Sequence, residues 1–233
     1  RHQLHEVIRL SGMNMIINDL YLPLIIKVAS IPKERMQVYF IDNQEFFHRK
    51  AMFHDEDNTM FPDNDMRMIF FTKGVLETVK KLGWAPDIIH CHGWFSSLMP
   101  LYVKKLYAQD PHFADSKIVV SAYDKEFEGT LSKDMHKKVA FDGFEGSDIE
   151  LLKKATHAQL MKNAMKFADG IILGDGKVSD EVKKYAAPIQ QATKTGIFFS
   201  RFWSSAIKIV KIKPAVAMIS LKNKCPPPRT CFD

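Results

Sequence analysis

Short apolar runs broken by polar residues open the chain. Residues 6–17, 23–30 and 36–42 are β-branched or aromatic in character and are bounded by Asn, Asp, Pro or Gly. Each is expected to be a strand. Residues 46–52 have the length of a short helix, and residues 54–65, dense in Asp and Asn, read as a loop. The clearest helix covers residues 65–82. There Met66, Ile69, Phe70, Val75, Leu76, Val79 and Leu82 fall on one stripe of 3.6-residue period. Gly83 follows the last apolar residue, where a helix end is commonly capped. Residues 86–92 then make a short buried strand, and residues 94–107 an amphipathic helix with Pro100 as an irregularity inside it. Further along, residues 117–121 and 170–174 read as strands, and residues 148–155, 157–167 and 179–185 as helices. Strands alternating with helices imply βαβ units and a parallel sheet. Ligands of such sheets bind beyond the carboxyl ends of the strands.

Composition adds little to this picture until it is divided along the chain. The 233 residues are 46% hydrophobic and 26% charged, ordinary for a domain with its own core. Three cysteines, Cys91, Cys225 and Cys231, are too few and too odd in number for a disulfide framework. A reducing, cytoplasmic setting is expected, with no membrane span and no signal region at Arg1. The net charge of +6 invites a nucleic-acid partner. That charge sits at one end: residues 194–233 carry eight Lys or Arg and a single acid, Asp233. The preceding body is close to neutral, so no nucleic-acid partner is expected. Residues 191–233 read as a basic tail, disordered or adventitious to the body, although the alternation at 207–213 has the form of an edge strand.

Two segments carry a resemblance. Pro62-Asp63-Asn64-Asp65-Met66-Arg67 opens the long helix. Trp84-Ala-Pro86-Asp87-Ile-Ile-His90-Cys91-His92-Gly93-Trp94 is followed by Leu98-Met-Pro100-Leu-Tyr102. In order and spacing they resemble the starch and bacterial glycogen synthases, whose Asp-Asn-x-x-Arg helix start precedes a Pro-Asp-Val-Val-His-x-His-Asp-Trp strand end. The 36–42 strand resembles that family's Val-Tyr-Phe-Ile/Leu-Asp segment. The likeness covers roughly residues 5–190 and is most specific at 36–42 and 62–102. It implies an α/β fold with a Rossmann-like parallel sheet, the N-terminal half of a two-domain glycosyltransferase of the GT-B type, over residues 1–190 and with its first strand missing.

The function implied is retaining transfer of glucose from ADP-glucose to an α-1,4-glucan, with no metal and no cofactor. By the same resemblance His92 and Asp63 take catalytic positions, His92 lying against the donor sugar. Asn64, Arg67, His90 and Trp94 bind or brace substrate, with Arg67 bracing the helix start and Trp94 offering a stacking surface. His90 and His92 stand two apart on a strand and so share a face. Where the family has Asp after the second His, this chain has Gly93, and Phe95 replaces a polar residue. The family's Lys-x-Gly-Gly-Leu diphosphate loop and its donor domain have no match here. The chain is therefore expected to be inactive alone, to bind ADP-glucose weakly or not at all, and to need a partner that supplies the donor domain. The alternative is a non-catalytic glucan-binding module. A sheet lacking its first strand exposes an edge, which implies marginal solubility.

Three weaker motifs carry no site. Metal binding by His90-Cys91-His92 would leave Cys91 pointing away. The spacing of Cys225 and Cys231 does not suit a zinc knuckle. Residues 170–177 lack the Gly at 171 and the Ser or Thr at 178 that a phosphate loop needs, and so read as a strand ending in a glycine turn.

Overall fold

A computed structural model describes residues 6–31, 36–123, 126–174, 178–193, 209–213 and 216–220. The chain begins with three consecutive antiparallel strands, β1 (Val7–Ile17), β2 (Leu20–Ile31) and β3 (Met36–Asp42). Ile17 pairs with Leu20 across a two-residue turn, and Asn18 takes the positive φ (55°) that such a turn favours. Asn43 caps the turn that follows, α1 (Gln44–Phe47), by accepting from the Phe46 N–H at 3.0 Å.

The helix α2 (Asn64–Leu82) ends where the sequence places its end, with Gly83 in the left-handed region. It lies close against the first sheet strands because Gly74 has no side chain. A Cβ there would sit 2.8 Å from Ile41 Cγ2 and 3.3 Å from Leu24 Cδ1. Met15, Ile17, Leu22, Leu24, Ile26 and Ile41 are buried beneath it.

From α2 the chain enters β4 (Ile88–His92). The helix expected over 94–107 is three short pieces. Trp94–Ser96 form a 3-10 turn, Met99–Leu101 a single α turn (α3), and Tyr102–Leu106 a π turn closed by Tyr107 N–H donating to the Tyr102 carbonyl at 3.0 Å. Pro100 has no N–H to give, so the ladder cannot run evenly through this stretch. Then come β5 (Lys117–Ala122), α4 (Met135–Ala140), a 3-10 stretch at Glu150–Lys154, α5 (His157–Lys166), β6 (Gly170–Leu173) and α6 (Asp180–Thr193). The sequence shows no period for α4, and the α-helix it suggests at 148–155 is tighter than expected.

The sheet is mixed: beside the parallel strands that the sequence leads one to expect, it carries antiparallel ones. Its order is β1-β2-β3-β8-β7-β4-β5-β6, where β7 is Ile209–Lys213 and β8 is Val216–Ser220. Only β7, β4, β5 and β6 run parallel to one another. The strand expected at an edge over 207–213 lies inside the sheet instead. Residues 209–213 pair with β4 on one side and β8 on the other, and β8 pairs with β3. The reason is geometric: β3 and β4 are not neighbours, and a two-stranded hairpin satisfies the backbone of both facing edges. The remainder of the basic segment, residues 194–208, 214–215 and 221–233, lies outside the described residues, as do residues 175–177 of the glycine turn.

Several protons are locked in this core. Burial pushes the Cys91 thiol up from its ordinary value. Burial, reinforced by the Asp142 carboxylate that accepts from Tyr102 at 2.6 Å, holds the Tyr102 phenol well above its own. Burial first and Glu77 second do the same to Tyr107. The folded chain keeps protons that the unfolded chain releases from about pH 9 upward. Stability from these groups is complete below that point and drains as pH climbs, at up to about 1.4 kcal/mol per pH unit for each group past its unfolded pKa. Urea midpoints measured from pH 8 to 11 should fall, and Tyr102→Phe should flatten the fall. A midpoint constant across that range would overturn the account.

Candidate active site

His90 and His92 project from one face at the carboxyl end of β4, their ring centroids 4.0 Å apart. The neighbouring strand supplies their partners. His90 Nε2 lies 2.7 Å from Ser121 Oγ, and His92 Nδ1 lies 2.6 Å from the Tyr123 hydroxyl, with the two rings nearly parallel at 11°. Ser121 and Tyr123 are themselves two apart at the end of β5, so the same alternation that pairs the histidines pairs their partners. Cys91 faces the other way, into the core.

The residue after His92 is unusual. Gly93 has φ 69° and ψ −179°, and its N–H donates to the Ser121 carbonyl at 3.2 Å. This is where the chain departs from the resemblance by lacking an Asp. The Glu126 carboxylate lies against it, with Oε1 3.0 Å from where a Cβ would stand.

The second motif piece forms its own cluster at the start of α2. Arg49 grips Asp63 with both guanidinium nitrogens, Nη1 to Oδ1 at 2.8 Å and Nη2 to Oδ2 at 2.5 Å, a forked geometry that fixes the carboxylate's plane. Asn64 and Arg67 are turned inward. Arg67 Nη1 donates to Asn64 Oδ1, and its Nε to the Phe46 carbonyl at 2.8 Å. The Arg67 guanidinium lies within reach of the Phe47, Phe61 and Phe95 rings. Burial, and then the charge of Arg49, lower its pKa to about 10. The consequence for stability is opposite in sign to that of the tyrosines, since the folded chain sheds this proton earlier than the unfolded one. It is one group against several.

Three residues expected at the site, Trp94, Asn64 and Arg67, are buried. Trp94 is 1% exposed, packed between Phe53 (4.8 Å), Phe95 (5.4 Å) and Phe127 (4.9 Å). It leaves no face for a sugar to stack on and is a wall beneath the site. Asn64 (1% exposed) and Arg67 (2% exposed) hold the helix start from inside, the bracing position expected of Arg67. Aromatic rings from before and after them in sequence close over Trp94 and Arg67, while Asn64 is held between the Phe53 carbonyl and the Arg67 guanidinium.

The two motif pieces meet through Phe53. Its ring packs on Trp94 and Phe95, and its carbonyl accepts from Asn64 Nδ2 at 2.9 Å. The candidate site is thus His90, His92, Ser121, Tyr123 and Glu126 at the strand ends, with Asp63 and Arg49 at the helix start. Sequence reasoning missed Arg49, Ser121, Tyr123 and Glu126. The alternation at the end of β5 could have flagged Ser121 and Tyr123. Nothing local marks Arg49 or Glu126. Among the described residues, no three His, Cys, Asp or Glu side chains are grouped to hold a metal ion, and no helix is long and apolar enough to cross a membrane.

Known proteins resemble this chain over most of its length. The family described as starch synthase catalytic domain matches residues 1–193. Glycogen synthase of Chlorobium limicola is 34% identical over 184 residues, covering 76% of this chain and 38% of that protein. Glycogen synthase of Chlorobium phaeobacteroides is 30% identical, covering 95% of this chain and 48% of that protein. The chain therefore spans less than half the length of these curated relatives. Among solved structures, the catalytic domain of starch synthase IV from Arabidopsis thaliana, bound to ADP and acarbose, superposes with a TM-score of 0.54. That match covers 72% of this chain and 33% of the other at 18% identity, so the likeness is one of fold.

Proposed function

The chain belongs to the starch synthase catalytic-domain family, and from that premise we propose that its strand-end crevice is the sugar site of a retaining glucosyl transfer from a nucleotide sugar to an α-1,4-glucan. The observation that carries this reading is the placement of His92, at the carboxyl end of a parallel strand with its ring oriented by the Tyr123 hydroxyl. Transfer of this kind needs no strong base. It needs fixed polar groups around a sugar that gains positive character as the diphosphate departs. His92 meets the donor sugar, and Asp63, oriented by Arg49, adds a fixed negative charge at the rim. Arg67 and Asn64 hold the helix that presents Asp63. ADP bound to the Arabidopsis catalytic domain supports a nucleoside diphosphate as the leaving group, with ADP-glucose as donor. In this reading the fold is the acceptor-side half of a two-domain transferase acting in the cytoplasm, and a donor-binding domain completes it.

A second reading, a glucan-binding module without catalysis, draws on Tyr123. The residue is 40% exposed at the same crevice and offers a sugar an aromatic surface. Calorimetric titration of the full chain with maltoheptaose and with ADP-glucose, followed by a glucosyl-transfer assay, separates the two. Transfer that falls about 100-fold in His92→Ala establishes the enzyme reading. Glucan binding without transfer gives the module. A folded sample that binds neither ligand overturns both.

A further inference from the structure

Two glycines at the ends of parallel strands make room for side chains from the loop that follows β5. Gly174, just after β6, is one. A Cβ there would lie 2.9 Å from Tyr123 Cδ1 and 3.2 Å from the Ala122 carbonyl, to which the Gly174 N–H donates at 2.8 Å. The Tyr123 ring can therefore lie against the end of β6 on one side while its hydroxyl reaches His92 on the other. Gly93, just after β4, is the other. Its backbone conformation is one that only glycine adopts without strain. A Cβ there would stand 3.0 Å from Glu126 Oε1 and 3.6 Å from Oε2. The carboxylate thus rests on the bare backbone of the residue beside His92. A histidine at the end of β4 meets a phenol from the loop after β5, a carboxylate of the same loop rests on the residue beside that histidine, and two absent side chains make this possible.

We propose that Glu126 is the substrate carboxylate of this crevice, accepting hydrogen bonds from hydroxyls of a sugar seated against His92. This deepens the glucosyl-transfer reading and rests on it. The chemistry is selective. An ionised carboxylate only accepts, a sugar hydroxyl donates, and hydrogen bonds to a charged acceptor are the stronger kind. The same charge repels phosphate, so the spot suits a neutral sugar and turns a diphosphate elsewhere. Glu126 is solvent-exposed, and substitutions at exposed positions usually shift stability little. The sugar has two sources, the glucan acceptor and the glucose of the donor, and each is a separate arm of the test.

The full chain, Glu126→Ala and Glu126→Gln are titrated with maltoheptaose, ADP-glucose and ADP, with urea midpoints taken for all three proteins. Glu126→Ala should keep its midpoint and lose affinity for one sugar ligand about 10- to 100-fold, with ADP binding undiminished. Glu126→Gln, which keeps the shape and loses the charge, should fall between. Loss for maltoheptaose assigns the acceptor, and loss for ADP-glucose but not ADP assigns the donor glucose. Unchanged affinity for both sugars in folded variants overturns the role of Glu126 and leaves the transfer reading standing. A wild-type chain that binds no sugar overturns both together.

Discussion

Lys138→Met is expected to lower the unfolding free energy by about 3–5 kcal/mol, a large part of the roughly 5–15 kcal/mol that holds a typical domain. The cause is the partner left behind. Asp65, in the first turn of α2, has a side chain 0% exposed, and its Oδ2 meets Lys138 Nζ of α4 at 2.6 Å. Its other oxygen accepts from the Met66 N–H at 2.7 Å. Without the ammonium, a carboxylate stays buried with one hydrogen bond and the field of a helix start. Lys138 is 26% exposed, so water already shares part of its charge and the loss should fall toward the lower figure. The double variant Lys138→Met/Asp65→Leu removes the stranded charge and should recover most of the loss. Denaturant midpoints of the wild type, the single and the double variant give the comparison. A loss under about 1 kcal/mol in the single variant would show that the pair behaves as a surface ion pair.

The second large effect concerns residues 194–233. Removing them takes away β7 and β8 and uncovers two inner edges at once, β3 over Met36–Tyr39 and β4 over Ile88–Cys91. Inner strands lack the charges, prolines and bulges that protect natural edges, and they recruit strands from other chains. A chain ending at Thr193 should therefore elute as oligomers or precipitate and lose its cooperative melt. The full chain should remain monomeric. If the shortened chain is monomeric with an unchanged melting temperature, residues 194–233 are a separate tail, as their charge suggests, and the sheet tolerates the gap.

Sequence reading succeeded where one periodic signal ruled. The α2 stripe, the Gly83 cap and the strand at 36–42 are local properties that the structure has at those positions, and the strand expected at 86–92 begins two residues later, at Ile88. Partners across the sheet were another matter. The β1–β2–β3 meander has the same residue types as parallel strands, and only the Asn18 turn distinguishes it. The alternation at 207–213 revealed a strand but not its neighbours, because backbone pairing leaves no mark on one strand's own sequence. Trp94 shows a further limit. A motif fixes a residue's place in the chain, while Phe53 and Phe127, distant in sequence, decide whether it meets solvent. Glu126 was invisible for a similar reason, since its position depends on the absent side chain of Gly93.

The order of strands also sets an order in time. Met36 pairs with Ser220, and Ile88 with Ile209, so contacts at the middle of the sheet join residues far apart along the chain. Contacts of such long range form slowly. A nascent chain emerges from its amino end and can complete the β1–β2–β3 meander and the β4–β5–β6 unit while the hairpin is still unmade. Until residues 209–220 arrive, each half carries an open edge, and the chain is most prone to associate during that interval. The centre of this sheet is the last part to be built, and slower translation through residues 194–208 would lengthen the exposure.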